Sequence, residues 1–182
     1  MIERLTIPEV WLFTPRRISD DRGWFCETFN AGLLEDALAG VTFVQDNQVF
    51  TEKSGVLRGM HFQKPPMAQD KLVRVLRGSI LDVAVDIRRD APTYGQWVSA
   101  VISAESGTQI FVPKGFAHGY LTLSPDTEVL YKVSAFYSRD HEAGIAWDDP
   151  AVDVDWGVSH GDVLMKDRDR EFPRLADLGP VF

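Results

Sequence analysis

The chain is poor in cysteine, in long apolar runs and in basic residues, and each shortage excludes a class of protein. Cys26 is the single cysteine among 182 residues, so neither an intrachain disulfide nor a CxxC metal site can form, and a reducing compartment is expected. No apolar run approaches the ~20 residues that span a bilayer. Lys and Arg number 19 against 27 Asp and Glu, and this net charge of -8 argues against general binding to nucleic acid or to an anionic membrane.

The N-terminal sequence MIERLTIPEV lacks the basic and then apolar order of a secretory signal. We therefore expect a cytoplasmic protein with no nucleic-acid or membrane partner. A length of 182 residues predicts one domain over residues 1–182, because a domain averages ~150 residues. The apolar fraction of 45% is enough to bury a sizeable core.

Short strands dominate the hydrophobic pattern. In 79–88, SILDVAVDIR, four apolar side chains alternate with Asp82, Ala84 and Asp86. Turn signals rich in Gly, Pro and Ser separate this run from seven similar ones, at 41–50, 55–63, 71–77, 97–103, 109–113, 118–123 and 127–134. Many short strands at a spacing of roughly 8–12 residues predict an all-β sandwich or barrel.

Helical signals are few. The stretch from Asn30 to Ala39 predicts a short helix that Asn30 caps and Gly40 ends. The charged sequence KDRDREFPRL, which breaks at Pro173, predicts a second helix near the C-terminus. The expected architecture is thus β-sheet with a few short peripheral helices.

Two spaced motifs resemble the conserved segments of the cupin family, whose fold is a double-stranded β-helix, or jelly-roll barrel. In 55–78, the first motif continues from its opening glycine to His61, Gln63, Lys71 and a closing glycine. In 107–118, the second motif matches in full at its final residue, His118, and at the positions Gly107, Pro113 and Gly115. The resemblance implies a cupin barrel with these side chains at its mouth.

The first motif departs from the pattern of cupins that bind a metal ion. Those cupins place three His and one Glu around the ion, whereas the matching positions here are His61, Gln63, Lys71 and His118. A glutamine is a poor ligand for a transition metal, and an ammonium group repels a dication. We therefore expect a cavity without a metal site.

The remaining polar side chains suit proton transfer. A histidine acts as a general base, a nearby lysine stabilises an enolate oxygen, and a tyrosine donates a proton. Tyr131 follows the alternation of 127–133, on the same face as Val129 and Val133. This set predicts proton abstraction next to a carbonyl group.

Eight segments, in the same order along nearly the whole chain, resemble the dTDP-4-dehydrorhamnose 3,5-epimerase family of nucleotide-sugar epimerases. They are DDRGWFCETFN at 20–30, FVQDN at 43–47, GVLRGMHFQ at 55–63, AQDKLVRVLRG at 68–78, DVAVDIRRDAPTYGQWV at 82–98, VPKGFAHGYLTLS at 112–124, VLYKVSAFYS at 129–138 and MKD at 165–167.

The resemblance implies a role for each matching residue. His61 is the implied base, Asp167 orients its imidazole, Lys71 stabilises the enolate oxygen, and Tyr131 is the acid on the opposite face. Asp169, Asp82 and Asp86 remain open as other partners of His61. Tyr137 is implied to stack on the thymine, and the implied contacts of the nucleotide diphosphate-sugar are Arg22, Glu27, Gln45, Asn47, Arg58, His118, Glu142 and Lys166.

The implied reaction is epimerisation at C3 and C5 of dTDP-4-dehydro-6-deoxy-D-glucose, without a metal or redox cofactor. The resemblance also implies a homodimer with exchanged N-terminal strands, and a C-terminal segment that closes the site. Three alternatives stay open: an epimerase that inverts one carbon only, a metal-dependent cupin, and a sugar-nucleotide binder without activity.

Overall fold

A computed structural model describes residues 2–182 and consists of two facing β-sheets. The larger sheet has six strands in the order β1-β2-β10-β7-β12-β5. Their bounds are β1 (Ile2–Arg4), β2 (Trp11–Phe13), β5 (Gln45–Thr51), β7 (Lys71–Arg77), β10 (Gln109–Val112) and β12 (Thr127–Val133).

The smaller sheet has five strands in the order β13-β6-β11-β8-β9. They are β6 (Leu57–Gln63), β8 (Ser79–Asp86), β9 (Trp97–Ser103), β11 (Phe116–Thr122) and β13 (Glu142–Gly144). All pairings in both sheets are antiparallel, and consecutive strands alternate between the sheets from β5 to β8 and again from β9 to β13. This arrangement confirms the predicted all-β fold of cupin type.

Two apolar clusters explain why the smaller sheet is buried on both faces. One cluster fills the space between the sheets and includes Val73, Ile80 and Val129. The other lies on the outer face of the smaller sheet, where the C-terminal segment contributes Trp147 and Trp156. In β8, therefore, the polar side chains of the alternating pattern are buried as well as the apolar ones.

The predicted helices are shorter than expected. Asn30 accepts backbone hydrogen bonds from Gly32 and Leu33 through its side chain, which gives a turn rather than a helical first turn. The helix α1 is limited to Glu35–Leu38, so the prediction of a helix from residue 30 was wrong. Near the C-terminus, α2 covers Asp167–Arg170, and single 3-10 turns lie at Arg139–His141, His160–Asp162 and Leu175–Asp177.

A two-stranded ribbon stands apart from both sheets. It pairs β3 (Arg17–Asp20) with β4 (Gly23–Cys26), which the sequence pattern had not predicted as strands. Ile18 faces Phe25 across the ribbon, and both side chains are more than half exposed. Over residues 2–182, no helix has the length and apolar character that crossing a bilayer requires.

Candidate active site

A cavity of about 510 Å³ opens between the two sheets, within the ~300–1,000 Å³ of ligand pockets in proteins. A second cavity of about 280 Å³ adjoins it and shares His61, Lys71, Tyr131 and Glu142 with it. Strands β6, β7, β11, β12 and β13 contribute the polar walls. The segment that contains Leu164 to Asp169 lines the remaining side.

His61 is held by two contacts on its imidazole. Its Nε2 lies 3.0 Å from Oδ1 of Asp169, and its ring meets Phe172 edge-on at 5.6 Å between ring centroids. Burial acts to raise the pKa of Asp169, but the hydrogen bond and charge of His61, the charge of Arg168 and the backbone N–H of Gly59 together outweigh it, and the pKa is lowered. The ionised carboxylate can only accept, so Nε2 carries the hydrogen and Nδ1 keeps its lone pair for proton abstraction.

The pairing corrects the expectation for Asp167. Asp167 is exposed at the start of α2, whereas Asp169 is buried on the side of α2 that faces β6. Successive residues of a helix are rotated by about 100°, so two residues apart point in nearly opposite directions. Only one of the two carboxylates can therefore reach His61, and it is Asp169.

Lys71 is a buried cation next to His61. Its Nζ donates a hydrogen bond of 3.3 Å to the backbone oxygen of His61. Burial lowers the pKa of Lys71 to about 8, although the negative charges of Asp82 and Glu142 act to raise it. A charged donor in this position is suited to stabilise negative charge that develops on a bound oxygen.

His118 forms a second histidine–aspartate pair inside the barrel. Its Nε2 lies 3.0 Å from each carboxylate oxygen of Asp82, whose side chain is completely buried. Burial lowers the pKa of His118, and the charge of Lys71 acts in the same direction, although Asp82 opposes both. A neutral imidazole in the cavity wall is the expected state near pH 7.

Tyr131 approaches the cavity from the wall opposite His61. It lies on β12 of the larger sheet, whereas His61 lies on β6 of the smaller one. Burial raises the pKa of Tyr131, although the positive charge of Arg58 acts to lower it. The phenol therefore keeps its proton at neutral pH and is available as a donor.

A polar network surrounds Glu142 at the adjoining cavity. Glu142 accepts a hydrogen bond of 2.8 Å from the Tyr137 hydroxyl and pairs with Arg168 at 2.6 Å. Gln45 accepts from the backbone N–H of Tyr137 and donates to Asn47. These contacts orient five side chains around one opening of the site.

The larger cavity is locally basic on an acidic protein. Its lining includes four cationic side chains, Arg58, Lys71, Lys166 and Arg168, and two carboxylates, Glu142 and Asp169. The chain as a whole carries a net charge of -8. Positive charge concentrated in a cleft favours an anionic ligand such as a diphosphate.

Comparison with known proteins identifies the family. The model of the dTDP-4-dehydrorhamnose 3,5-epimerase family matches residues 4–177. The chain belongs to this family. A dTDP-4-dehydrorhamnose 3,5-epimerase of Sinorhizobium fredii is 47% identical over 180 residues, which cover 99% of this chain and 92% of the relative.

Solved structures of the epimerase family share the fold. The dTDP-6-deoxy-D-glucose-3,5-epimerase of Legionella pneumophila, in complex with dTDP-4-keto-L-rhamnose, superposes with a TM-score of 0.93, at 38% identity and with 100% and 98% of the two chains covered. A 3'-monoepimerase of Streptomyces bikiniensis, in complex with dTDP-quinovose, gives 0.86 at 31% identity and covers 95% and 87%.

The structure brings together most of the side chains that resemblance to the epimerase family had implied. Ten of them line one or both cavities: His61, Lys71, Tyr131, Arg58, His118, Glu142, Lys166, Gln45, Asn47 and Tyr137. Arg22 and Glu27 lie elsewhere, on and just after the exposed ribbon, where Arg22 pairs with Asp20. Within one chain these two residues are therefore not part of the cavity lining.

Three further polar residues of the cavity were missed as site residues or left as alternatives. Arg168 and Asp169 belong to the charged run KDRDRE. A helical periodicity applied to that run separates Asp169 from the exposed Asp167, but no local signal singles out Arg168, which is also exposed. Tyr120 lines the cavity and is two residues beyond His118 on the same strand, so strand alternation places it on the same face. Its buried hydroxyl has no hydrogen-bond partner among the described residues.

The side chains at the metal-ligand positions of cupins do not suit a metal ion in this family member. Gln63 uses its amide on three backbone groups, those of Met67, Phe136 and Ser138. Lys71 offers only an ammonium group, and His118 is directed to Asp82. Among the side chains that the structure describes, no three His, Cys, Asp or Glu are grouped as a metal site.

Proposed function

We propose that this protein epimerises dTDP-4-dehydro-6-deoxy-D-glucose at C3 and C5, which yields dTDP-4-dehydro-L-rhamnose. The observation that carries the proposal is the facing arrangement of His61 and Tyr131 across one basic cavity. Family membership supports the substrate, because the relatives that match most of the chain are named for this reaction.

The base and the acid act from opposite sides of the sugar. Nδ1 of His61 removes the proton from the carbon next to the C4 ketone, and the electron pair of the broken C–H bond forms the C=C bond of an enolate. Asp169 accepts the Nε2 hydrogen and stabilises the imidazolium that forms. Lys71 stabilises the enolate oxygen, since its ammonium group is buried beside His61.

Inversion follows when Tyr131 protonates the same carbon from the opposite wall. The C=C electrons form the new C–H bond, the ketone is restored, and the phenolate takes a proton from solvent. His61 releases its proton to solvent, so one proton enters and one leaves for each inverted carbon. The second carbon next to the ketone undergoes the same sequence, and no oxidation or reduction occurs.

The basic side chains bind the diphosphate in this proposal. Arg58 and Lys166 line the larger cavity, and Arg guanidinium groups suit two-point contacts to phosphate. His118 contacts the sugar from the barrel interior. Tyr137 provides the ring on which thymine stacks, with Gln45, Asn47 and Glu142 around it.

A second copy of the chain completes the site. Arg22 and Glu27 are exposed and outside the cavity lining, while the ribbon that leads to them displays Ile18, Trp24 and Phe25 to solvent. Large exposed apolar side chains on a projecting ribbon favour burial against another subunit. A homodimer in which the ribbon brings Arg22 and Glu27 to the partner's cavity accounts for both features.

The experiment is incubation with dTDP-4-dehydro-6-deoxy-D-glucose in deuterated water, followed by NMR. We expect deuterium at C3 and C5 of the product. A reductase added to trap this product is expected to give the L-sugar. His61→Ala is expected to abolish exchange at both carbons while nucleotide binding persists. If the unmodified protein binds the dTDP-sugar but catalyses no deuterium exchange, the proposed epimerase activity is refuted and the protein is a sugar-nucleotide binder.

Epimerisation at one carbon only is the second candidate. It is supported by the likeness to the 3'-monoepimerase, although that structure has lower identity and coverage than the double epimerases. The same experiment separates the two, because a monoepimerase incorporates deuterium at one inverted carbon. Pre-treatment with a chelator is expected to leave the exchange rate unchanged, and loss of exchange would favour a metal-dependent cupin.

A further inference from the structure

One carboxylate inside the barrel has no part in the proposed proton transfers. Asp82 lies on β8 with no exposed surface, and both of its oxygens are 3.0 Å from Nε2 of His118. A buried charge is strongly unfavourable unless it is compensated by partners. Asp82 therefore needs a positively charged group near it to compensate its charge.

Strand register explains why Asp82 reaches His118. On β11, His118 stands opposite Ala84 of β8, and Tyr120 stands opposite Asp82. Ala84 has a short side chain, so the imidazole has room to turn along the sheet toward the carboxylate two residues away. The diagonal position on the same face of a sheet is within reach of a long side chain.

The charged and titratable groups of the cavity beside His118, the partner of Asp82, come from five strands. They are Lys71 on β7, Arg58 and His61 on β6, His118 and Tyr120 on β11, Tyr131 on β12 and Glu142 on β13. Among them Lys71 is a buried ammonium group whose Nζ reaches the backbone oxygen of His61, and His61 stands opposite His118 between β6 and β11. The negative charges of Asp82 and Glu142 oppose the effect of burial on the pKa of Lys71.

We propose that Asp82 is a positioning residue, which holds His118 with its hydrogen on Nε2 and keeps Lys71 protonated inside the barrel. The inference rests on the proposed function, in which the charge of Lys71 stabilises the enolate oxygen. It assigns Asp82 an effect through two neighbours, without contact with the substrate. Nδ1 of His118 is then left as a hydrogen-bond acceptor for a sugar hydroxyl.

Asp82→Asn separates charge from shape. The amide oxygen still accepts from His118, but the field that keeps Lys71 protonated is lost. We expect the alkaline limb of the pH profile of kcat/KM to move to lower pH by about one unit, which is about a fivefold loss at pH 8, about a tenfold loss above pH 9 and little loss at pH 6. A uniform decrease at every pH would indicate a merely structural role and would overturn the proposal.

The direct measurement is the titration of Lys71 by NMR of protein with 13C-labelled lysine, without substrate. The Lys71 signal is assigned by its absence in Lys71→Met. We expect a midpoint near 8 in the unmodified protein and about one unit lower in Asp82→Asn. Equal midpoints in the two proteins would refute the inference. Because no substrate is present, the result is independent of whether the proposed reaction is correct.

Three further variants keep the test decisive if Asp82→Asn does not fold. Asp82→Glu retains the charge and His118→Gln retains the carboxylate, so both are expected to keep the Lys71 midpoint within about half a unit. A fall of a full unit in either would contradict the proposal. Asp46→Asn is the matched control, since Asp46 pairs with Lys132 on the exposed side of β5.

Discussion

At the scale of single residues, two histidine–aspartate pairs share one cavity and differ in exposure. The His61 side chain is 31% exposed and carries the free lone pair that a base requires, whereas His118 is 8% exposed and paired with a fully buried carboxylate. The two histidine–aspartate pairs thus differ in their chemical environment, because their solvent access and neighbouring charges differ. Lys71 contacts the backbone of His61, and the charges that favour its protonation are those of Asp82 and Glu142.

The pairing of His61 predicts a sharp contrast between two neighbouring carboxylates. Asp169→Asn is expected to lower kcat/KM by about 100-fold, because misorientation of a catalytic group by about 1 Å has effects of this size. Asp167→Asn, in the same helix but exposed, is the control and is expected to change kcat/KM less than about twofold. Steady-state kinetics of the two variants measures the difference, and equal losses would contradict the assignment to Asp169.

The burial of a charged Lys71 is expected to lower the stability of the fold, although the proposed reaction requires this charge. Its pKa falls from 10.5 to about 8 on folding, so the unfolded chain binds more protons between these pH values and the free energy of unfolding rises with pH through that window. Below pH 8 the penalty is complete and amounts to about 3 kcal/mol.

Lys71→Met is therefore expected to abolish epimerisation and to raise the free energy of unfolding at pH 7 by about 1–3 kcal/mol. The gain is smaller than the full penalty because Asp82 loses its neighbouring cation in this variant. Urea unfolding at pH 7 and pH 10 measures the effect, and the gain should shrink at the higher pH. Lys53→Met, at an exposed position, is the control with no expected gain. A destabilised Lys71→Met at pH 7 would contradict the predicted sign.

At the scale of elements, strand β6, which holds His61, packs unusually close to β11. The register between them shifts between His118 and Tyr120, opposite the part of β6 that holds Gly59. Gly59 has φ of +149°, and a Cβ there would lie 2.5 Å from the Cα of Gly119. Glycine at both positions allows the two backbones to approach, which sets Arg58 and His61 at the cavity wall.

Gly59→Ala is expected to destabilise the protein and to displace His61. A Cβ against a neighbouring backbone cannot be relieved by a side-chain rotation, so we expect a loss of about 2–3 kcal/mol, or roughly 5–10 °C in Tm. Gly161→Ala is the control, because its added Cβ would meet no atom within 4 Å. Thermal unfolding by circular dichroism compares the two, and equal Tm values would refute the close-packing argument.

At the scale of the whole molecule, the C-terminal segment and the ribbon have opposite relations to the barrel. The C-terminal segment packs Trp147 and Trp156 on the outer face of the smaller sheet and supplies one wall of the cavity. The ribbon leaves its apolar side chains in solvent, and Trp24 contacts Arg17 rather than the core. One chain therefore contains a cavity lined by His61 and Tyr131, together with an apolar surface for which we propose a second copy as the partner.

Phe25→Asp tests the proposed dimer. We expect the unmodified protein to sediment at about twice the chain mass of 20.5 kDa, and Phe25→Asp to sediment as a monomer. The KM for the dTDP-sugar should rise about tenfold or more in the variant, because Arg22 and Glu27 no longer reach the partner's cavity. Val101→Asp, at an exposed position of β9, is the control, and a monomeric unmodified protein would refute the dimer.

Much of the fold and the location of the site followed from local sequence. Alternating apolar runs bounded by glycine and proline predicted the eight longer strands, because such runs match a pleated surface that is buried on one face. The resemblance of 55–78 and 107–118 to the cupin motifs implied a barrel with His61, Lys71 and His118 at its mouth, and the structure has all three in one cavity. The short strands β1 to β4 and β13 were not predicted, since three or four residues carry too little pattern.

Only the tertiary structure decided the partners of those residues. From the sequence, the possible hydrogen-bond partners of His61 were Asp82, Asp86, Asp167 and Asp169. The orientation of α2 against β6 places Asp169 within hydrogen-bond distance of His61. Alternation along β8 did not separate an exposed face from a buried one, because the C-terminal segment covers the outer face and Asp82 lies inside the barrel with His118. Contacts between distant segments depend on how whole elements pack, and no local pattern records that packing.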